Sequence, residues 1–335
     1  MDYRSLGRTG VKVSPLCLGT MNFGGRTDEK DALDIIQRAM EQGINFIDTA
    51  NVYNDGESEK VVGKALKKSG ERDQIVLATK VHGSMGKGPN DRGNHRRHIV
   101  AQCDASLKRL DTDRIDLYQI HRPMSEIPID ETLRALDDLI RAGKVLYVGS
   151  STFAAWQLME SVMVSRELGL NRFVSEQPPY HLLDRRIERE LVPFCRTYGF
   201  AVLPWSPLAG GFLTGKYSRE GGWPQGSRYA GKENRFRKQF QDRAFDVMDA
   251  LDEVAEQAGT TSSQFALAWC MHQPGVTSPI IGPRTMEQLE DNLGALEVEV
   301  TDDHRARLDE VATPGDGIAS FYEADFGPGR YAVPR

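Results

Sequence analysis

Short apolar runs alternate with amphipathic stretches along most of the chain. Leu16–Leu18, Ile44–Ile47, Ile75–Thr79, Ile115–Ile120, Val145–Val148, Phe173–Ser175, Phe200–Leu203 and Val276–Ile281 have the length and apolar character of buried strands. The stretches between them, near 29–42, 57–68, 94–109, 130–142, 153–167 and 185–197, predict helices. A pair near 238–257 and 262–271 and a last one near 285–293 follow. In the first, Ala32, Ile35, Ile36, Ala39 and Met40 fall on one helical face, and Gly43 ends it. Gly143 and Gly169 stop later helices in the same way. Strand–helix units repeated in one direction favour a closed parallel (β/α)8 barrel over an open sheet. Tyr3–Leu6 and Val11–Val13, around Gly7-Arg8-Thr9-Gly10, predict an N-terminal β-hairpin. A Gly-rich stretch near 208–235 interrupts the rhythm after the seventh strand, and residues past about 313 read as an irregular tail. Residues 1–335 are expected to form one barrel domain with extra helices and long loops on the C-terminal face.

A length of 335 residues suits such a barrel with insertions. The net charge of −6 gives no basic surface for nucleic acid. No apolar stretch reaches the length of a membrane span, and the N-terminus lacks the apolar core of a signal peptide. Cys17, Cys103, Cys195 and Cys270 are far apart, without metal spacing, and read as reduced, packed thiols of a cytoplasmic protein.

Polar residues recur where the strands end. Asp48 follows Ile44–Ile47, Lys80 follows Ile75–Thr79, His121 follows Ile115–Ile120, and Tyr53 lies in the loop after Asp48. In a parallel barrel these C-terminal ends converge on one mouth. Any one such residue is ordinarily structural or solvated; together they make a proton-donating site. A phenol is a weak acid at neutral pH, and a nearby ammonium favours the phenolate, so Lys80 is expected to lower the pKa of Tyr53. Asp48 would hold Lys80 charged, and His121 would donate to a substrate oxygen. This suits protonation of a carbonyl oxygen as hydride reaches its carbon, and implies a nicotinamide or flavin cofactor. The G-x-G-x-x-G of a dinucleotide-binding open sheet does not follow an early strand.

The segment Phe46-Ile47-Asp48-Thr49-Ala50-Asn51-Val52-Tyr53-Asn54-Asp55-Gly56-Glu57-Ser58-Glu59, with Thr79-Lys80 and His121-Arg122-Pro123, resembles the signature of the aldo-keto reductases. The resemblance runs from about residue 3 to 312 and is nearest the bacterial branch that also resembles potassium-channel β-subunits. It implies Tyr53 as general acid, Lys80 and Asp48 as its tuning pair, and His121 as substrate orienter, acting on a small-molecule aldehyde or ketone. It implies NADPH bound across the barrel mouth. Carried over position by position, Gly19, Thr20, Met21 and Asp48 lie near the cofactor, and Ser151, Thr152 and Gln177 hold its carboxamide. Thr152 replaces the family's usual Asn. Trp205 stands at the aromatic position against the nicotinamide, although a core Trp fits the sequence equally well. Ser206, Leu208 and Gly210 belong to the loop over the pyrophosphate, a candidate lid. Gly282, Arg284, Gln288, Asp291 and Asn292 belong to the adenosine end, with Arg284 on the 2′-phosphate.

Other readings remain open. Lys80 could be a Schiff-base lysine, although the adjacent carboxylate opposes the depressed pKa this needs. A non-catalytic NADPH-binding subunit is the rival from another class. His82, His95, His98 and His121 do not form a recognised metal-ligand spacing. Met21, Phe23, Tyr53, His82, Phe212, Trp223 and Tyr229 are expected to rim an aromatic substrate pocket.

Overall fold

The barrel seen in the computed structural model follows from a period of two along its strands. The structure describes residues 1–219, 224–230 and 240–319. Gly221, Gly222, Trp223, Gly231, residues 238–239 and the tail from 320 onward, with Pro328 and Gly329, lie outside them.

Among the described residues a hairpin, β1 (Arg4–Ser5) and β2 (Lys12–Val13), precedes an 8-stranded parallel sheet. The barrel strands are β3 (Cys17–Gly19), β4 (Phe46–Asp48), β5 (Val76–Val81), β6 (Ile115–Ile120), β7 (Val145–Ser151), β8 (Ser175–Gln177), β9 (Ala201–Val202) and β10 (Ile280–Ile281). They pair in chain order from β3 to β9, and β10 pairs with β3. Parallel bridges Val202–Val276 and Trp205–Ile280 close the ring, with Ile280 N donating to Pro204 O at 2.8 Å.

Around it pack α1 (Glu29–Glu41), α2 (Glu57–Ser69), α3 (Arg96–Leu110), α4 (Ile129–Arg141), α5 (Ala155–Leu168), α6 (Leu191–Tyr198), α7 (Asp242–Gln257), α8 (Ser262–Met271), α9 (Met286–Gly294) and α10 (Asp302–Val311). None of these helices is long and apolar enough to cross a membrane.

Side chains alternate between barrel interior and helix layer. Phe46, Val76, Ala78 and Leu117 form an inner cluster, whereas Ile47, Leu77, Tyr118 and Ile120 join the outer core. The hairpin seals the N-terminal end, because Leu6 and Val13 belong to the inner cluster. Gly7 sits at φ 56°, where a Cβ would stand 2.6 Å from Val174 O, so the turn presses directly on the strand ends.

The structure moves several predicted boundaries. β7 runs past Gly149 to Ser151, and β8 begins at Ser175 rather than Phe173. The predicted helix 185–197 is a 3₁₀ turn, Arg186–Glu188, followed by α6. Pairing partners set these limits, and the apolar run does not register them. Helix α10 has no counterpart in the sequence pattern, because its single fully buried Leu308 leaves little apolar periodicity to read. The expected tail is anchored at its start: Arg185 N donates to Asp316 O at 2.8 Å, and Asp184 bridges Gly317.

The predicted aromatic rim is partly a packing cluster. Phe23 is wholly buried in the outer core. Phe212 and Tyr229 are buried with Tyr217, Phe240 and Phe245; the Phe212 and Phe240 rings stack with centroids 4.3 Å apart. This cluster fixes the described base of the 208–235 stretch against α7.

Candidate active site

At the C-terminal end of the barrel the inward positions turn polar. Asp48 ends β4, Lys80 lies near the end of β5, Gln119 precedes His121 by one inward step, and Ser151 and Gln177 end β7 and β8. Strand register brings them to neighbouring levels: Lys80 pairs with Gln119, and Ser151 with Gln177.

Lys80, which is wholly buried, donates to Asp48 Oδ1, to Thr49 O at 2.9 Å and to Tyr53 Oη at 3.2 Å. The second carboxylate oxygen of Asp48 accepts from Gln119 Nε2 at 2.9 Å and from Gln177 Nε2 at 3.0 Å. Burial opposes the charge on Lys80, but Asp48 and Tyr53 outweigh it and raise its pKa above the ordinary lysine value. A lysine held charged is a poor Schiff-base nucleophile.

The expectation for Tyr53 needs correction. Burial is the largest influence on the phenol and raises its pKa; Lys80 acts downward without reversing the direction. Tyr53 is therefore held protonated at neutral pH, the form a proton donor requires. The His121 ring meets the Tyr53 ring edge-on, with centroids 5.8 Å apart. Burial, then Lys80, Arg122 and His82, keeps the His121 pKa well below its usual value, so its imidazole is neutral.

The turn carrying Tyr53 is tightly held. Asn54 and Asp55 have φ 49° and 55°, and Asn54 Nδ2 donates to Met21 O at 3.1 Å and Phe23 O at 2.8 Å. Gly56, at φ 92°, lies where a Cβ would come within 2.7 Å of Arg109 Cδ. Arg109 Nε donates to buried Glu59 at 2.6 Å, and Glu59 accepts from Thr79 Oγ1 at 2.6 Å on the outward face of β5. Left-handed non-glycine residues also follow β7 and β9: Thr152 (φ 65°), Ser206 (φ 57°) and Ala209 (φ 48°). Strained backbone gathered at one mouth is a mark of functional sites.

The family model described as "Aldo/keto reductase family" matches residues 15–313. The chain belongs to the aldo/keto reductase family. The uncharacterized oxidoreductase YrpG of Bacillus subtilis is 40% identical over 326 residues, covering 95% of this chain and 97% of that protein. A protein of Arabidopsis thaliana named "Probable voltage-gated potassium channel subunit beta" is 39% identical over 303 residues, covering 89% of this chain and 92% of its own length. A protein of the same name from Oryza sativa subsp. japonica matches to the same extent. This aldo/keto reductase is thus an oxidoreductase of a family that uses NAD(P)H and acts on small-molecule carbonyl compounds.

The residues present fit such a cofactor. Lys216, in the loop after β9, is half-buried, and this desolvation followed by the charge of Arg284 lowers its pKa. Arg284 immediately precedes the Thr285 cap of α9, whose N-terminus adds a partial positive charge. Gly210 and Gly211, at φ 66° and 93°, supply backbone that a side chain would crowd. The chemistry of this donor set is that of a phosphate cradle.

The expected cofactor residues fall into distinct settings. Ser151, Thr152, Gln177 and Trp205 surround the mouth, and exposed Met21 stands at its edge. Ser206, Leu208 and Gly210 lie in the loop with Lys216. Gly282 O accepts from Asn22 Nδ2 at 3.4 Å, and Arg284 Nη1 donates to Gly226 O at 2.8 Å. Gln288 Oε1 is engaged by Arg284 N at 2.8 Å as part of the α9 cap.

Other residues are drawn into the scaffold. A Cβ on Gly19 would stand 2.6 Å from Ile280 Cγ2, so this glycine lets β3 meet β10. Thr20 is buried, with Oγ1 2.8 Å from Ser58 Oγ. Asp291 accepts from Thr261 Oγ1 at 2.8 Å, Ser263 Oγ and Gln264 Nε2, at the N-terminus of α8. Asn292 is buried on α9 beside Leu289 and Leu293.

Gln119, Arg122, Lys216 and Glu176 were missed as candidate site residues. Gln119 carries a readable signal, a polar inward position two residues before His121. Glu176 faces outward beneath the loop after β7, wholly buried, and burial pushes its pKa up to about 8. Its Oε1 accepts from Phe153 N at 3.0 Å, and its Oε2 lies 2.5 Å from Ser150 Oγ.

An acid with a raised folded-state pKa is protonated in the fold after the unfolded chain has ionised. Its contribution to stability is full below the unfolded value of 4.5 and is lost as pH rises toward about 8. The loss approaches about 1.4 kcal/mol per pH unit in that window. Glu176→Gln is expected to flatten this slope and to be the more stable form at pH 8. Denaturant melts of both proteins at several pH values check it, and parallel profiles would show that Glu176 is ionised in the fold.

Proposed function

We propose that the protein catalyses NADPH-dependent reduction of an aldehyde or ketone to an alcohol. The observation that carries this reading is the Tyr53 hydroxyl, 3.2 Å from a buried Lys80 ammonium that Asp48 holds charged. When bound, a reduced nicotinamide supplies the hydride. Tyr53 gives its proton to the carbonyl oxygen, and the Lys80 ammonium stabilises the phenolate left behind. Neutral His121 donates a hydrogen bond to the same oxygen and orients the substrate. Ser151, Thr152 and Gln177 hold the carboxamide, and Trp205 offers its face to the ring. Lys216, Arg284 and the loop from Ser206 to Gly210 hold the phosphates. Consumption of NADPH across a panel of aldehydes and ketones tests the reading.

Arg284 is the proposed selector of the 2′-phosphate. A charge-assisted contact is worth roughly 1.5–3 kcal/mol, or about one to two orders of magnitude in affinity. Arg284→Ala is expected to lose that much of its preference for NADPH over NADH in titrations with both. Unchanged discrimination would assign selection to another residue.

The similarity to the two plant proteins named as channel subunits favours a second reading, a cofactor-binding subunit without turnover. It predicts tight NADPH binding with no consumption on any carbonyl in the panel.

A further inference from the structure

Arg122 is the residue through which three loops of the mouth meet. Its Nη1 donates to His121 O at 2.6 Å, to Thr152 Oγ1 at 3.1 Å and to Ser151 Oγ at 3.4 Å. The guanidinium lies over the Trp205 ring, 5.9 Å from its centroid. Its backbone is held from the loop after β5: Asn94 Nδ2 donates to Arg122 O at 2.9 Å, and Asn94 Oδ1 is 2.9 Å from His82 Nδ1. All three bonds leave one nitrogen, so what a lysine cannot reproduce is the flat guanidinium that makes them while lying over the Trp205 ring.

Thr152 shows why such a clamp is needed. Its φ of 65° lies in the left-handed region, where a β-branched residue is an outlier. A conformation of this kind persists only where its surroundings over-determine it. The backbone is held from β8, with Thr152 N donating to Gln177 O at 3.2 Å and Phe153 N to Glu176 Oε1 at 3.0 Å. The side chain is held by Arg122. Ser151 is fixed in the same manner, donating its hydroxyl to Gln177 O at 2.9 Å while Arg122 approaches from the other side.

We propose that Arg122 is a positioning residue for the nicotinamide end of the site, holding Ser151 and the strained Thr152 in the arrangement that orients the carboxamide. The inference rests on the assignment of that carboxamide to Ser151 and Thr152 made above. It has a specific corollary. Asn adopts the left-handed region far more readily than Thr, so Thr152→Asn removes much of the strain and with it much of the dependence on Arg122.

The test compares wild type, Arg122→Met, Thr152→Asn and the double variant in the full chain. NADPH affinity is titrated calorimetrically, and the face of hydride transfer is read with NADPH deuterated on one side of C4. Arg122→Met is expected to bind NADPH about 10- to 100-fold more weakly, the worth of a charge-assisted contact, and to transfer from both faces. In the Thr152→Asn background the same change is expected to cost less than about tenfold. Wild-type affinity and single-face transfer in Arg122→Met would overturn the proposal. An equal fold-loss in both backgrounds would also overturn it, because Arg122 would then not act through Thr152. If Arg122→Met does not fold, Arg122→Lys, which keeps the charge but not the flat guanidinium, is judged by the same criteria. A wild type that binds neither NADPH nor NADH would remove the underlying carboxamide assignment. A wild type that binds and transfers from one face, beside an unchanged Arg122 variant, removes the positioning role alone.

Discussion

Tyr53→Phe is expected to lose carbonyl reduction by at least about two orders of magnitude, the lower range of what a positioned general acid contributes, while binding NADPH as wild type does. The substitution keeps the ring that meets His121 edge-on and lies beneath the Lys80 ammonium, 4.9 Å from the ring centroid. It removes only the hydroxyl that Lys80 contacts. Single-turnover rates on the best substrate of the panel, with cofactor affinity measured separately, distinguish loss of the proton from loss of the site. A variant that turns over near the wild-type rate would transfer the acid role to another group, His121 being the nearest candidate.

Asp48→Asn is expected to damage both activity and stability. The carboxylate is nearly as buried as the lysine it faces, with side-chain exposures of 3% and 0%. Removing one member of such a pair leaves an uncompensated buried charge and costs about 3–5 kcal/mol. Thr49 O and Tyr53 Oη would remain on the ammonium, but Asp48, the largest of the influences that raise its pKa, would be gone. Denaturant melts should show the loss. The double variant Asp48→Asn/Lys80→Met, with no buried charge left at the pair, should recover much of that stability and none of the activity. If Asp48→Asn melts as wild type does, the pair contributes far less than its burial implies.

Much of the barrel was legible because its strands are short apolar runs with stops between them. Their order, direction and the hairpin all follow from that rhythm. The catalytic candidates were legible for a related reason: a polar residue closing an apolar run must face somewhere polar, and in a parallel barrel the ends face one mouth. The parts that were hidden depend on contacts distant in sequence. Gln119 looks like one polar residue inside a strand until the ring brings Asp48 and Gln177 to its amide. The resemblance places Asp291 with the cofactor residues, and only the fold shows its carboxylate bonded to Thr261, Ser263 and Gln264 at the start of α8. The sign of the Tyr53 shift was misjudged because burial, which outweighs the neighbouring ammonium, is a property of the folded loop. Phe212 and Tyr229 suggested a pocket rim by composition, yet aromatic residues satisfy one another first when enough of them share a loop.

The apolar plug formed by Leu6 and Val13 makes the barrel a vessel with one opening. Phe46, Val76 and Leu117 line its lower half, so among the described residues the layer beneath Lys80 is apolar. In the proposed reaction a proton released by Tyr53 is then replaced from the side by which substrate arrives. Product departure and renewal of the acid therefore share one doorway, and a bulky alcohol that lingers there delays the next cycle twice, once by occupying the site and once by keeping water from it.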